Sequence, residues 1–379
     1  MKPIYLDNAA TTKSDERVAK IMNFYLRKVY ANPSSKYALG ELAKKAIEGS
    51  KKMIANKICA KPSEIIFTSG GTESNNLALK GLFFANYPAK NHIITTKIEH
   101  NSVLNACKWL EEQGAEVTYL DVDKKGFVST ADILKAMTRK TFLVSIIHGN
   151  NEIGTIQDIE QIGKLCKNKG ILFHTDACQS FTKIPIDAKK MNIDLMTINS
   201  HKIHGPKGVG ALYIKDGLKI IPLLHGGGQE KGLRSGTENT VGIVGFAEAV
   251  KIFNDKDVWH MEKLQNKLIN ELLKISGVKL NGSAENRLCN NVNVSFLDID
   301  AETLISYLEN YGIYLSAGSA CMSNANEKSH VLKAIGLSKK EIESSIRISL
   351  SKYNTEKEID FFVKKLKEII KKLKGIGIK

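Results

Sequence analysis

Between residues 65 and 214 the chain alternates short apolar runs with longer stretches whose apolar positions recur at helical spacing. The short runs are 65–68, 92–96, 116–120, 142–147, 171–175, 195–198 and 210–214. Several are rich in Ile and Val and apolar throughout, which predicts strands buried on both faces of a mainly parallel sheet. Segments 73–86, 101–113, 130–138 and 157–169 between them read as helices. Strand–helix alternation predicts an α/β layered fold, and seven candidate strands make it large. The texture changes after about residue 255. Segment 257–275 reads as a long amphipathic helix, 290–296 as an alternating strand and 301–311 as a further helix. In segment 355–374, Ile359, Phe362, Val363, Leu366, Ile369, Ile370 and Leu373 recur at helical spacing with lysines opposite. That helix either packs on a small domain or lies on a membrane surface.

Composition sets the outer bounds. The chain has 379 residues, 42% hydrophobic and 25% charged, which is ordinary for a globular protein and excludes collagen-like and disordered classes. No apolar run is long enough to span a membrane, and the first residues hold no apolar stretch of signal-peptide length. The formal charge of +15 comes from lysines spread along the chain. It reads as a solvated surface or as attraction to an acidic partner such as tRNA. The six cysteines, Cys59, Cys107, Cys166, Cys178, Cys289 and Cys321, show neither Cys-x-x-Cys pairs nor zinc-site spacing. A reducing cytoplasm, free thiols and no metal site are the expectation.

Four segments carry candidate chemistry. In Thr68-Ser69-Gly70-Gly71-Thr72-Glu73-Ser74 a strand gives way to glycines and a helix start. Glycines let backbone approach a ligand, and free N–H groups at a helix start suit an anion, so this is a phosphate site or simply a capped turn. Asp176 ends a buried strand, and Asn199-Ser200-His201-Lys202 follows the next. Ligands of open α/β sheets gather at that edge. A lysine there can form a Schiff base with a carbonyl cofactor, and a nearby acid can hold a pyridinium proton. In that order, a phosphate cradle, an acid and a lysine meet the needs of pyridoxal 5'-phosphate (PLP). His100 follows another strand and is either structural or stacked on such a ring. Small residues surround Cys321 in Ser316-Ala317-Gly318-Ser319-Ala320-Cys321-Met322, which reads as an exposed nucleophile or a connector with an incidental thiol.

Taken together, these motifs resemble the NifS/IscS family of cysteine desulfurases, PLP enzymes of the fold-type I, class V aminotransferase superfamily. The likeness also runs through Tyr5-Leu6-Asp7-Asn8-Ala9-Ala10-Thr11-Thr12, Ala31-Asn32-Pro33-Ser34-Ser35, His148-Gly149-Asn150-Asn151-Glu152, Gly226-Gly227-Gly228-Gln229-Glu230, Arg234-Ser235-Gly236-Thr237 and Ser345-Ile346-Arg347-Ile348-Ser349-Leu350, nearly the whole length. It implies an aminotransferase-like large domain over 16–254 with a seven-stranded mostly parallel sheet, and a smaller α/β domain from 1–15 plus 255–379. Lys202 would hold PLP covalently, Asp176 would pair with its ring nitrogen, and His100 would stack on the ring and take part in catalysis. Gln179 and Asn151 would meet the ring hydroxyl side, with Asn151 also facing substrate. Gly71, Thr72 and His201 would hold the phosphate, helped by Thr237 from a second subunit of a homodimer. Arg347 would take the carboxylate of L-cysteine, and Cys321 would receive the sulfur as a persulfide. A sulfur-acceptor protein, serving iron–sulfur cluster assembly or tRNA thiolation, would follow.

The chain departs from that pattern in places. Asn199-Ser200 replaces the usual Ser-Gly or Ser-Ala, Met322 follows the cysteine, and Asn326-Glu327-Lys328-Ser329 lacks a proline often found there. Rival readings are a selenocysteine lyase, an aminotransferase, or a basic binding protein on the same fold. An aminotransferase needs no Cys321, and a binding protein needs none of Lys202, Asp176, His100, Arg347 and Cys321.

Overall fold

The computed structural model describes residues 3–297, 299–317 and 329–375. The strands, in chain order, are β1 (Ile4–Tyr5), β2 (Ile65–Thr68), β3 (His92–Thr96), β4 (Glu116–Leu120), β5 (Thr141–Ser145), β6 (Leu172–Asp176), β7 (Leu195–Asn199), β8 (Gly210–Ile214), β9 (Val278–Leu280), β10 (Asn291–Phe296), β11 (Ile313–Tyr314) and β12 (Ser345–Ser349). The helices are α1 (Glu16–Lys28), α2 (Ala38–Lys57), α3 (Gly71–Asn86), α4 (Asn101–Glu112), α5 (Thr130–Ala136), α6 (Ile159–Lys169), α7 (Thr240–Ile252), α8 (Asp255–Leu273), α9 (Ala301–Glu309), α10 (His330–Ala334), α11 (Lys339–Glu343) and α12 (Glu356–Gly375).

The seven apolar runs form one seven-stranded sheet in the order β2-β8-β7-β6-β5-β3-β4. All pairings are parallel except the two made by β8, which runs against β2 and β7. Period-two alternation explains how such continuous runs serve two cores. Ile65, Phe67, Met196, Ile198, Ala211 and Tyr213 face one side with Ile243, Phe246 and Ala249 of α7. Ile66, Leu195, Leu212 and Ile214 face the other, against Leu77, Leu82 and Phe83 of α3 and Val103 and Leu110 of α4. The layered fold expected from the sequence is therefore present, with its strand ends shifted by a residue or two. Because β2, β3, β5, β6 and β7 all run the same way, the loops after them open on one edge of the sheet. The chain steps outward from β3 to β4, then crosses back to place β5 on the other side of β3. A strand-order reversal of this kind leaves a crevice beyond the carboxyl ends.

A second, antiparallel sheet has the order β12-β10-β9. Its core takes Val292, Val294, Ile346 and Ile348 together with Leu264, Leu268 and Leu272 of α8 and Ile359, Phe362, Leu366 and Leu373 of α12. The apolar stripe of the last helix is thus covered by protein, which answers the choice between packing and a membrane surface. Among the described residues no helix is long and apolar enough to cross a membrane.

The N-terminal segment links the two sheets. β1 pairs in parallel with β11, and Asp7 bridges to Ser349 of β12. Beyond Asp7 the chain crosses to the large sheet: Thr12 N–H and Oγ1 donate to the carbonyl of His201, and Asp15 N–H donates to that of His204.

Phe362→Ala should cost about 3–5 kcal/mol in urea unfolding, because it empties a fully buried site. Lys364→Ala, on the exposed face of the same helix, should change stability by no more than about 0.5 kcal/mol. Equal effects would mean that α12 is not held by its apolar stripe.

Candidate functional site

Five strand ends deliver side chains to one cavity of about 170 Å³. Gly71 and Thr72 come from the turn after β2, His100 from that after β3, and Asn151 from the loop after β5. Asp176 and Gln179 come from the end of β6, and Asn199, His201 and Lys202 from the end of β7. Ala9 and Ala10 of the N-terminal segment and Arg347 of β12 close it from the second sheet.

The phosphate candidate is a helix start. α3 begins at Gly71, preceded by Gly70 at φ +156°, ψ −176°, a conformation almost restricted to glycine. Its first-turn N–H groups lack intrahelical partners, and Thr72 adds a hydroxyl. Gly71 itself is required by a neighbour: a Cβ there would lie 2.7 Å from the Sγ of Cys178.

Asp176 is buried and held at both oxygens. Oδ1 accepts from Cys178 N–H at 2.9 Å and Oδ2 from Asn75 Nδ2 at 2.8 Å. Lys202 Nζ donates to the carbonyls of Ala9 and Ala10, and Gln179 Nε2 donates to that of Ala9 at 2.9 Å. Beneath them Lys183 is buried, and its Nζ donates to the carbonyls of Gln179 and Lys202 at 2.9 and 3.3 Å. Loss of hydration pulls its ammonium down to about 8, and its hydrogen bonds hold two cavity loops together.

The histidines are kept neutral. His201 is pushed down to about 3 by burial and then by the charge of Lys202, and its Nδ1 lies 3.2 Å from Thr11 Oγ1. His100 is also lowered, first by burial. Arg347 is 1% exposed. Its Nη2 donates to Asp7 Oδ1 at 2.8 Å and its Nη1 to the backbone carbonyl of Asn151 at 3.2 Å, while Nε is buried with no partner among the described residues. An unspent donor on a planar fork suits one more oxygen ligand.

The aminotransferase class-V family matches residues 4–362 of this chain. A cysteine desulfurase IscS from Methanosarcina thermophila is 48% identical over 379 residues, covering 99% of this chain and 94% of that protein. Another from Clostridium botulinum is 48% identical over 376 residues, covering 98% and 95%. Among solved structures, a NifS-like protein superposes with TM-score 0.92 at 43% identity, covering 97% of this chain and 99% of the other. SspA in complex with cysteine gives TM-score 0.85 at 42% identity, covering 93% and 100%. The chain belongs to the cysteine desulfurase family of class-V aminotransferases.

Cysteine desulfurases of this family depend on PLP, and the cavity fits that group. An amine at Lys202, a twice-anchored carboxylate at Asp176, a neutral aromatic ring at His100 and a helix start at Gly71 all line one wall or another. Asn199 lines the cavity too, with its Oδ1 buried and unpartnered among the described residues. The resemblance assigned Asn199 no role, and its place directly before Ser200-His201-Lys202 is the signal that points to it. Asn75, Cys178 and Asp7 were also missed as site residues. Asn75 stands four residues after Gly71, on the same helix face, which a helical reading of the cradle brings within reach. Thr237 does not line this cavity; it lines a separate one with Thr68, Ser69, Gly208 and Arg234. Cys321 lies outside the described residues. The other five thiols are free, and Cys107, Cys166, Cys178 and Cys289 are buried. Burial, then the charge of Asp176, raises Cys178 far above an ordinary thiol, so it stays protonated. Among the described residues no His, Cys, Asp or Glu cluster could hold a metal ion.

Gly71→Ala should cost about 1–3 kcal/mol in thermal unfolding through the clash with Cys178. Adding Cys178→Ala should restore most of it, and no restoration would show that the clash lies elsewhere. Glu99, fully buried beside His100, is raised by burial from its ordinary 4.5 to about 8. The native state therefore keeps a proton that the unfolded chain gives up, so this contribution is present below pH 4.5 and is lost as pH rises toward 8. Glu99→Gln should flatten that part of the stability–pH curve.

Proposed function

We propose that the protein converts L-cysteine to L-alanine and transfers the sulfur to Cys321 as a persulfide. In balance, L-cysteine and the Cys321 thiol give L-alanine and Cys321–S–SH. The observation that carries this reading is the convergence of Lys202, Asp176, His100 and Arg347 on one cavity, in a chain 48% identical to proteins named cysteine desulfurase. The neighbour in complex with cysteine supports the substrate.

When bound, PLP supplies an aldehyde that joins an amine and a protonated ring that draws electrons from the substrate carbons. Lys202 would hold the cofactor, and its Nζ could carry a proton. Asp176 would favour a proton on the ring nitrogen, since a carboxylate nearby stabilises the cation. His100 covers the ring, Gln179 and Asn151 serve its hydroxyl side, and Gly71, Thr72 and His201 take the phosphate. Arg347 orients the amino acid through its carboxylate.

The residues flanking Cys321 support its role as sulfur carrier. Ser316 N–H and C=O pair with the backbone of Arg347, and His330 Nε2 donates to the carbonyl of Glu99 at 2.9 Å, next to His100. Both approaches to Cys321 are therefore tied to cavity residues. A homodimer is supported by exposed Phe24, Leu26, Tyr30, Tyr37, Leu39 and Leu42 along α1 and the start of α2. Thr237, outside its own chain's cavity, then serves a neighbour's. The destination is a sulfur-acceptor protein for iron–sulfur clusters or tRNA thiolation, in the cytoplasm.

Incubation with L-cysteine and a thiol reductant should release alanine and sulfide in equal amounts. Cys321→Ser should keep the cofactor absorbance and stop both products, whereas Lys202→Ala should abolish the absorbance. Full sulfide release by Cys321→Ser would overturn the carrier role, and activity confined to selenocysteine would favour the lyase.

A further inference from the structure

Behind the cavity, Asn75 touches two parts of the machinery at once. It is fully buried on α3, and its Nδ2 donates to Asp176 Oδ2 at 2.8 Å and to Ser102 Oγ at 2.8 Å. Ser102 Oγ lies 2.8 Å from His100 Nδ1, and Ser102 N–H donates to that same Nδ1 at 3.1 Å. We propose that Asn75 is a positioning residue that fixes the tautomer of His100 and the aim of Asp176 through one amide group.

The direction of every bond in this chain follows from chemistry. An amide NH2 only donates, so Asp176 Oδ2 and Ser102 Oγ both accept from Asn75. The opposite amide orientation would set Oδ1 against a carboxylate. With an acceptor site of Ser102 Oγ occupied by Asn75, its hydroxyl proton is available to His100. The backbone N–H of Ser102, at 3.1 Å, is a second donor toward the same nitrogen. His100 is therefore a neutral ring whose proton sits on Nε2. A neutral ring is the form that can stack on a protonated pyridine without charge repulsion. On Asp176, the Asn75 and Cys178 donors take one lone pair from each oxygen and fix the plane of the carboxylate.

Packing alone does not account for this residue. Asn75 Oδ1 is buried with no partner among the described residues, a cost that leucine at the same position would not carry. The donors are kept and the acceptor is left unsatisfied, as expected of a group retained for its N–H bonds. Sequence position agrees: α3 offers residue 75 on the face of Gly71, and the N-cap of α4 offers His100 with Ser102 two residues on.

Other charges also face His100. Asp176 favours its protonation, while Lys202 and His330 oppose it along with burial, the largest influence. Removing the Asn75 amide leaves Asp176 less satisfied and frees Ser102 Oγ to accept. Both changes favour a proton on His100 Nδ1.

This role rests on the cofactor site proposed above, and its test does not use turnover. Full-length protein with 15N-labelled histidine, with and without PLP, gives the tautomer and titration midpoint of His100 from its ring nitrogens. Wild type should show the Nε2–H tautomer. Asn75→Leu should introduce the Nδ1–H form and raise the midpoint by about half a pH unit to one pH unit. Ser102→Ala, a smaller change should the first variant fold poorly, should raise the midpoint too. The double variant should add little to either, because both act on one chain of bonds. Wild-type nitrogen shifts and midpoint in folded Asn75→Leu, or in Ser102→Ala, would overturn the proposal. A desulfurase failure with these shifts intact would instead count against the functional reading alone.

Discussion

The segment from Asp7 to Asp15 is the seam on which the site depends. A parallel sheet offers its reactive side chains at the carboxyl ends of its strands, but it leaves that edge open to water. Here the carbonyls of Ala9 and Ala10 receive Lys202, Ala9 also receives Gln179, and the backbone and side chain of Thr12 bind His201. A few residues earlier, Asp7 holds Arg347 on the other sheet. The lysine that would carry the cofactor and the arginine that would carry the substrate are thus spaced by one short piece of extended chain.

The same logic of shared supports recurs beneath the cavity. Lys183 ties together the backbone at Gln179 and Lys202, and Cys178 both donates its N–H to Asp176 and packs against the helix start at Gly71. Burial is the common cause of the electrostatics. It keeps His100 and His201 neutral, Cys178 protonated and Glu99 uncharged near neutrality. Asp176 is also buried, and each of its oxygens accepts one hydrogen bond, from Cys178 N–H and from Asn75 Nδ2.

Much of the fold was legible in the sequence because the strands of the large sheet are buried on both faces, so each reads as an unbroken apolar run. Helices α4 and α6 showed because one face meets the sheet and the other meets water. Helix α7 did not, since Ile243, Val244, Phe246, Ala247 and Val250 bury it on nearly every side and erase its period. In the site, residues at strand ends were readable because topology alone brings such ends together. Asn75 could be placed on the face of Gly71, but its bond to Ser102 could not be read, because a hydrogen bond between two different helices leaves no spacing in the chain. Asp7 stands inside the Tyr5–Thr12 motif, yet only its bridge to Ser349 of β12 shows it facing Arg347.

The pairing of Asp7 with Arg347 changes what an incoming amino acid encounters. A bare guanidinium this deep would act as a trap for any small anion. One that already has a carboxylate companion presents a newcomer with a pair of zero net charge rather than a full positive one. Recognition then leans on shape and on the remaining Nε hydrogen.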